Sequence, residues 1–358
     1  MGKYSVTGLP WSNGLGKDVS DCKTSSDVMD KANLNWSVAK CPLVAAMPFN
    51  SQQFLTEMDE LNGDFSRNGR IYRTQPNAYG TYRTDKNIPL GLVKEQYTVI
   101  QNRDAFSFFD EVIDPSTCTW TNAGQFGYGH KIFVTAKIEI PVEISLNGVK
   151  DVISNYLVFS NSHDGSSSIT IMFTPVRVIC TNCLNAGLNK ADSFIRIRHT
   201  KSAKQELHKG ADILRIAMKK TDNAKELYQA LYKTKMNDKD VLEYLIRLNL
   251  TDEEFASLSF IRSGQERLIH RDYSVLEQTK ISMRKVNVIQ NMYEYYMDGI
   301  GQQDIAGTAW GAYNAVTGFY SNVANLEGAK RMDSLLYGNA NNMMQKAIYE
   351  ASEIMKAA

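Results

Sequence analysis

The spacing of apolar residues changes once along the chain, close to Thr200. Before this residue, short apolar runs alternate with turn signals, a pattern that is typical of antiparallel strands. After it, apolar residues recur with the period of a helix, and no proline follows Pro175. These patterns predict an α+β fold, with an antiparallel sheet-rich N-terminal part and a helical C-terminal part.

The same patterns divide the chain into three parts. We predict an N-terminal arm over residues 1–50, a sheet-rich core domain over 51–203 and a helical C-terminal region over 204–358. Within the core domain, Asn147-Gly148 predicts a tight hairpin turn between two strands.

Several element boundaries are marked by single residues. A strand that starts at Trp36 is expected to end at Pro42, because proline lacks the N–H that a ladder needs. Thr251 and Glu254 have the spacing of a helix capping box. One long helix is expected over Val275–Tyr296.

Composition restricts the class of protein. The net charge of +1 over 358 residues gives no global attraction to nucleic acid or membranes, so any basic surface must be local. Five scattered cysteines argue against a disulfide framework and for a reducing compartment. No apolar run approaches roughly 18 residues, and the first residues lack a signal core. We expect a soluble cytoplasmic protein with no membrane partner.

The stretch Tyr156–His199 concentrates side chains that are able to bind an anion or transfer a proton. Its members are His163, Asp164, Arg177, Asn182, Arg196, Arg198 and His199. Candidate catalytic residues are His163 and Asp164, which lie in the polar loop Asn161–Ser168 and would form an acid–base pair if the loop bends. Neighbouring residues on a strand point to opposite faces, and Asp-Gly is also an ordinary turn, so both interpretations remain open.

Cys180 and Cys183 form a single CxxC pair. A redox pair is expected at a helix start after a strand, which is the predicted context here. A zinc site would need a second pair or nearby histidines. We favour two structural cysteines, and we predict neither a metal nor a cofactor.

Basic residues alternate with apolar ones from Phe194 to Lys201. As a strand, this segment places Arg196 and Arg198 on one face, where two guanidinium groups suit phosphates spaced along a backbone. A second basic and aromatic set suits base stacking and phosphate contacts: Tyr82, Arg83, Lys94, Tyr97 and Asn102. The alternative for both sets is an ordinary solvated surface.

Several motifs in order carry a resemblance to a known family. They include Asn161-Ser162-His163-Asp164-Gly165, Phe173-Thr174-Pro175-Val176-Arg177, Arg196-Ile197-Arg198-His199-Thr200 and Gly307-Thr308-Ala309-Trp310. Over most of its length the chain resembles a phage- and plasmid-encoded family known only as a domain of unknown function. The resemblance implies a mobile-element origin and the cytoplasm of a bacterial host cell, and it implies no particular activity.

The leading functional hypothesis is a nucleic-acid-binding protein of phage or plasmid DNA metabolism. In this hypothesis the protein is a homo-oligomer that binds or anneals single-stranded DNA during recombination. The predicted phosphate contacts are Arg177, Arg196, Arg198 and Lys201, the predicted stacking residues are Tyr82 and Tyr97, and the other predicted groove residues are Arg83, Lys94, Asn102, Asn182 and His199.

Two alternatives remain. In the first, the protein is an enzyme that acts on a nucleotide or a small phosphorylated ligand, with His163 as general acid or base, Asp164 orienting it, and Arg177 with Arg198 clamping the anion. In the second, it is a structural protein that binds a host partner.

Overall fold

A computed structural model describes residues 4–5, 8–12, 14–48, 65–67, 70–112, 118–146, 148–185, 194–207 and 223–357. The strands are β1 (Gly16–Asp18), β2 (Val38–Pro48), β3 (Phe65–Arg67), β4 (Arg70–Arg83), β5 (Ile88–Lys94), β6 (Cys118–Phe126), β7 (Lys131–Leu146), β8 (Val149–Ser162), β9 (Ile169–Arg177), β10 (Asn182–Cys183) and β11 (Phe194–Ile197). All of the strand pairings are antiparallel.

The helices follow the strands, except for two. They are α1 (Ser25–Lys31), α2 (Asn102–Val112), α3 (Ala203–Leu207), α4 (223–233), α5 (Asp238–Asn249), α6 (Asp252–Ser259), α7 (Gly264–Ile269), α8 (Tyr273–Thr279), α9 (Met283–Asp298), α10 (Ala309–Gly318), α11 (Gly328–Leu336) and α12 (Asn339–Ala357), with a π-helical turn over Phe319–Val323. The predicted α+β class, with sheets in the N-terminal half and helices in the C-terminal half, is confirmed.

The strands form two sheets. The large sheet has the order β1-β6-β7-β8-β9-β10, with β11 also paired to β9. The small sheet has the order β2-β4-β3, with β5 paired to β4. The N-terminal 50 residues supply a strand to each sheet, so they are joined to both by backbone hydrogen bonds.

The large sheet is covered on both faces, and the alternation of its side chains separates two cores. On one face, Ile132 and Val134 pack with the residues of α1 and α2. On the other face, Phe133 packs with the buried Trp11 and with residues of α11 and α12. A third core joins the hairpin end of β7 and β8 to the helical half.

Strand β11 shows how this alternation places a polar residue. Ile197 is buried and Ile195 packs beside it in the core under α1 and α2, whereas Arg196 is exposed. Arg196 lies opposite Thr170 on β9, and Thr170 lies opposite Ser160 on β8. The three polar side chains therefore form a row across neighbouring strands on the face that α11 and α12 cover.

Two predicted boundaries are wrong. Pro42 does not end its strand, because β2 is an edge strand and continues through a bulge between Pro42 and Val44, where a missing N–H is tolerated. The single helix expected over Val275–Tyr296 is two helices, because Lys280 takes the left-handed conformation with a φ of 56° and Ser282 caps a new helix. The helical period also predicts a helix over Lys204–Lys220, of which residues 208–220 lie outside the described residues.

A buried ion pair connects the large sheet to the helical half. Arg177 on β9 donates from Nε to both carboxylate oxygens of Asp151 on β8, at 2.9 and 2.7 Å. The indole of Trp310 on α10 donates to the same carboxylate at 3.0 Å, and Arg177 also donates to the carbonyl of Gly301 at 2.9 Å. Since both charges are buried, either one left alone would be strongly destabilising.

We therefore predict that Asp151→Asn lowers the free energy of unfolding by about 3–5 kcal/mol, because it leaves the Arg177 guanidinium buried without a counter-charge. The matched control is Glu143→Gln, which breaks the exposed Glu143–Lys150 pair on the adjoining hairpin and should cost less than about 1 kcal/mol. Urea unfolding followed by circular dichroism measures both, and equal losses for the two variants would refute the assignment.

Candidate anion-binding groove

The loop Asn161–Ser168 is held by close backbone packing. Gly91 on β5 lies so near Asp164 that a Cβ at residue 91 would come within 2.4 Å of the Asp164 backbone. Gly165 has a φ of 75°, a conformation that glycine adopts without strain. These two glycines allow the loop to lie directly against the small sheet.

The loop buries His163. Its Nε2 lies 2.7 Å from Oδ1 of Asn102, whose amide in turn donates to the carbonyl of Leu34 at 2.8 Å. The edge of the Trp36 ring packs on the imidazole with centroids 5.3 Å apart. Desolvation lowers the pKa of His163 to about 3, so the ring is neutral at physiological pH.

Asp164 does not orient His163. Its carboxylate accepts hydrogen bonds from the Ser162 hydroxyl at 2.5 Å and from the Ser166 backbone N–H at 2.9 Å. Partial burial acts to raise the pKa of Asp164, but these hydrogen bonds outweigh it and hold the pKa below its usual value. The predicted acid–base pair is therefore not assembled in this structure.

Arg83 and Asn102 belong to the same interior cluster as His163. The Arg83 guanidinium lies 4.2 Å over the Trp36 ring, donates twice to Asp85, and donates to the carbonyl of Tyr128 at 2.9 Å. Its side chain is 6% exposed. Both residues, which were predicted to contact nucleic acid, are used to hold elements together.

The half-buried Tyr97 and the buried His199 form a second contact. Their rings stack with centroids 4.5 Å apart, and the Tyr97 hydroxyl donates to the carbonyl of Ser162 at 2.7 Å. Nδ1 of His199 lies 3.3 Å from the carbonyl of Thr98. Burial raises the pKa of Tyr97 and lowers that of His199, so neither is charged near neutrality.

Arg177 and Asn182 lie in the interior between the large sheet and the helices. Arg177 is bound to Asp151, and Asn182 accepts a hydrogen bond from the Asn322 amide at 2.9 Å and lies 3.4 Å from Asn314. Neither residue faces solvent.

The two CxxC cysteines are also buried. Cys180 and Cys183 lie around the turn between β9 and β10, where the sequence had predicted a helix start. Desolvation raises the pKa of both thiols, that of Cys183 to about 12, which disfavours the reactive thiolate. Among the residues that the structure describes, no group of three or more His, Cys, Asp and Glu side chains is arranged to hold a metal ion.

The remaining predicted residues are accessible. Lys94, Arg196, Arg198 and Lys201 are exposed, and Tyr82 is half-buried. Tyr82 and Lys94 belong to the small sheet, whereas Arg196 lies on the outer strand β11 of the large sheet. The predicted basic and aromatic residues are thus divided between two sheets.

The structure contains a groove with two adjoining lobes. Of the predicted site residues, Arg196 and Asp164 line this groove. The hydroxyl lobe has a volume of about 370 Å³ and is lined by Phe126, Lys131, Ser160, Ser166, Ser167, Ser168, Thr170, Arg196, Asp333, Tyr337 and Gly338. The histidine lobe has a volume of about 320 Å³ and is lined by Phe126, Gly127, His130, Lys131, Asp164, Ala329, Lys330 and Asp333. Phe126, Lys131 and Asp333 line both lobes, so the two lobes adjoin along these side chains.

The groove forms where the corner between α11 and α12 meets the loop end of the large sheet. The Tyr337 hydroxyl, at this corner, is 3.1 Å from the Ser160 hydroxyl on the sheet. Lys131 at the start of β7 pairs with Asp333 of α11 at 3.3 Å, and both side chains keep partial exposure of 25% and 51%. An anion entering the groove would meet hydroxyl donors and a cation already fixed in place.

The sequence interpretation missed most of the groove residues, among them His130, Lys131, Lys330 and Tyr337. Lys131 and Asp333 are 202 residues apart, and no local pattern joins them. One signal was present: Ser160 directly follows the apolar run Leu157–Phe159, and Thr170 lies between Ile169 and Ile171.

A family model described as Domain of unknown function (DUF932) matches residues 89–348. The chain belongs to this family. The resemblance to a family of unknown function is thereby confirmed, and the matched span of the DUF932 protein contains every groove residue named above. No curated protein and no solved structure matches the chain. Among the helices that the structure describes, none is long and apolar enough to cross a lipid bilayer.

The buried His163 predicts an acid-sensitive fold. Its pKa is about 3 in the folded state and about 6.5 in an unfolded chain, so the unfolded state binds more protons between these values. Above about pH 6.5, His163 makes its full contribution to the free energy of unfolding. As the pH falls from 6.5 toward 3, the free energy of unfolding decreases by up to about 1.4 kcal/mol per pH unit. We expect His163→Gln to be less stable at pH 7 but to lose less stability between pH 6.5 and 5.

The matched control is His270→Gln, which removes an exposed histidine of α7's C-terminal end. Urea unfolding at a series of pH values should give the same slope for this control as for the wild type. A His163→Gln slope equal to that of the wild type would show that His163 does not titrate as a buried neutral ring.

Proposed function

We propose that this DUF932 protein binds single-stranded nucleic acid in the two-lobed groove. The observation that carries the proposal is the set of cations along its length: Arg196 in the hydroxyl lobe, Lys131 between the lobes and Lys330 in the histidine lobe. Consecutive phosphates of a single strand need such a series of positive groups.

An aromatic ring lies at the junction of the lobes. Phe126 lines both lobes and is itself supported by stacking on Phe133, with centroids 5.5 Å apart. A base can stack on such a ring whatever its identity, which suits binding without sequence preference.

The proposal keeps some of the predicted contacts and sets others aside. Arg198, Lys201, Lys94 and Tyr82 are accessible, and we retain them as contacts outside the groove. The buried residues Arg83, Asn102, Arg177, Asn182 and His199 would support the fold, together with the half-buried Tyr97. A mobile-element origin, strand annealing, recombination and self-association remain predictions.

Fluorescence anisotropy with a labelled oligothymidylate tests the proposal. We expect binding that weakens steeply between about 50 and 200 mM salt. Lys330→Gln should weaken binding severalfold and reduce the salt slope by about one, because one phosphate contact is lost. Asp333→Asn should tighten binding, because it removes the carboxylate that competes for Lys131.

The matched control is Lys239→Gln, which neutralises an exposed lysine of α5 outside the groove and should leave both quantities unchanged. No binding of the wild type at low salt would end the proposal. An equal effect of the Lys330 and Lys239 variants would place binding elsewhere on the surface.

A second candidate is an enzyme acting on a nucleotide or small phosphorylated ligand. His163 is enclosed, but His130 is half-buried and lines the histidine lobe together with Asp164. A general acid or base at His130 would reach a ligand in the groove. Turnover of a nucleotide that is lost in His130→Gln and kept in His270→Gln, measured by chromatography of the products, would favour this candidate.

A further inference from the structure

The hydroxyl lobe differs from the histidine lobe in the groups that it offers to a ligand. Five hydroxyl-bearing side chains line it in addition to Tyr337: Ser160, Ser166, Ser167, Ser168 and Thr170. It also contains two cations, Lys131 and Arg196, and one carboxylate, Asp333, which pairs with Lys131. The histidine lobe contains no serine or threonine among its lining residues and is the more open of the two.

These hydroxyls are arranged on two sides of the lobe. Ser160 and Thr170 are buried cross-strand neighbours and form its floor beside Arg196. Ser166 and Ser167 are exposed and come from the loop, whose shape is fixed by the hydrogen bonds of Asp164 with Ser162 and Ser166. The Thr170 hydroxyl already donates to the Ser168 carbonyl at 3.2 Å. A ligand in the lobe would therefore meet the Ser160 hydroxyl as a donor from the floor and the serine hydroxyls as donors from the rim.

The roof is formed by the end of α11. Tyr337 and the following Gly338 cover the lobe on the helical side, and the Tyr337 hydroxyl reaches the floor at Ser160. With the floor, rim and roof each contributing, the hydroxyl lobe encloses a ligand more than the histidine lobe does.

A lobe of this chemistry fits a particular kind of phosphate. A terminal phosphate carries a charge near −2 at pH 7 and three acceptor oxygens, whereas an internal phosphodiester carries one charge and two free oxygens. Two cations and several hydroxyl donors match the terminal group better than the internal one.

We propose that the hydroxyl lobe is a subsite for a terminal phosphate monoester and that the protein prefers the 5′-phosphorylated end of a single strand. The inference rests on the proposed function, since the rest of the strand would occupy the histidine lobe and the surface beyond it. In this arrangement Arg196 and Lys131 bind the terminal phosphate, Phe126 stacks the first base, and Lys330 contacts the next phosphate.

The experiment compares two oligothymidylates of equal length, each labelled at the 3′ end, one with a 5′-phosphate and one with a 5′-hydroxyl. Anisotropy titrations of the full chain are expected to give at least about tenfold tighter binding of the phosphorylated strand, the effect of one charge-assisted interaction. The preference for the phosphorylated strand should weaken from pH 7.5 to 5.5, because the phosphate dianion takes up a proton with a pKa of about 6 and becomes a monoanion.

Two variants locate the subsite. Arg196→Gln changes an exposed residue and should bring the two strands to nearly equal affinity. Lys330→Gln should weaken both strands by the same factor and leave their ratio unchanged. Ser160→Ala, which removes the floor hydroxyl whose hydrogen is available to a ligand, should reduce the ratio without abolishing binding.

The outcomes separate this inference from the proposed function. Equal binding of the two strands by the wild type, or a preference that survives in Arg196→Gln, overturns the terminal-phosphate subsite and leaves single-strand binding standing. If neither strand binds, single-strand binding is overturned. If thymidine 5′-monophosphate then still binds to the wild type and not to Arg196→Gln, the terminal-phosphate subsite is supported. Absence of binding to all three probes overturns both.

Discussion

The ion pair between Asp151 and Arg177 withdraws two full charges from water at the place where the large sheet meets the helical half. Such a pair persists only when the geometry is good and the remaining polar atoms are bonded, which Trp310 and Gly301 provide. The pair therefore requires β8, β9 and α10 to keep one relative position. This constraint fixes one end of the β8–β9 hairpin and leaves the opposite end of the same two strands to form the groove.

Interior hydrogen bonds explain why the most distinctive motifs are not the groove. His163, Asn102 and Arg83 are polar residues around Trp36, and each uses its polar atoms to join segments far apart in sequence. A buried polar group without a partner costs free energy, so such networks need particular residue types at particular positions. Such a motif resembles a catalytic or binding site in the sequence, although in the structure it holds the loop and α2 against the sheets.

The elements that the sequence predicted well are those whose signal is local. The capping box at Thr251, and the alternation around Arg196, depend on residues within a few positions of one another. Tertiary context decided the rest: Pro42 is tolerated because β2 is an edge strand. The groove could not be predicted in this way, since it joins strands of the first half to the α11–α12 corner more than 150 residues later.

The Asp151–Arg177 and Lys131–Asp333 ion pairs differ in burial, and this difference indicates which of the two cations can meet a ligand. Opening the Asp151–Arg177 pair would leave a charge buried, at a cost of several kcal/mol, so Arg177 is committed to the fold. The Lys131–Asp333 pair is partly exposed and contributes at most about 1 kcal/mol, so a phosphate can replace Asp333 beside Lys131 at little cost. In a nearly neutral protein, a cation that is paired with a carboxylate can bind a polyanion only if the carboxylate is easily displaced. Of these two pairs, the Lys131–Asp333 pair in the groove satisfies this condition and the Asp151–Arg177 pair does not.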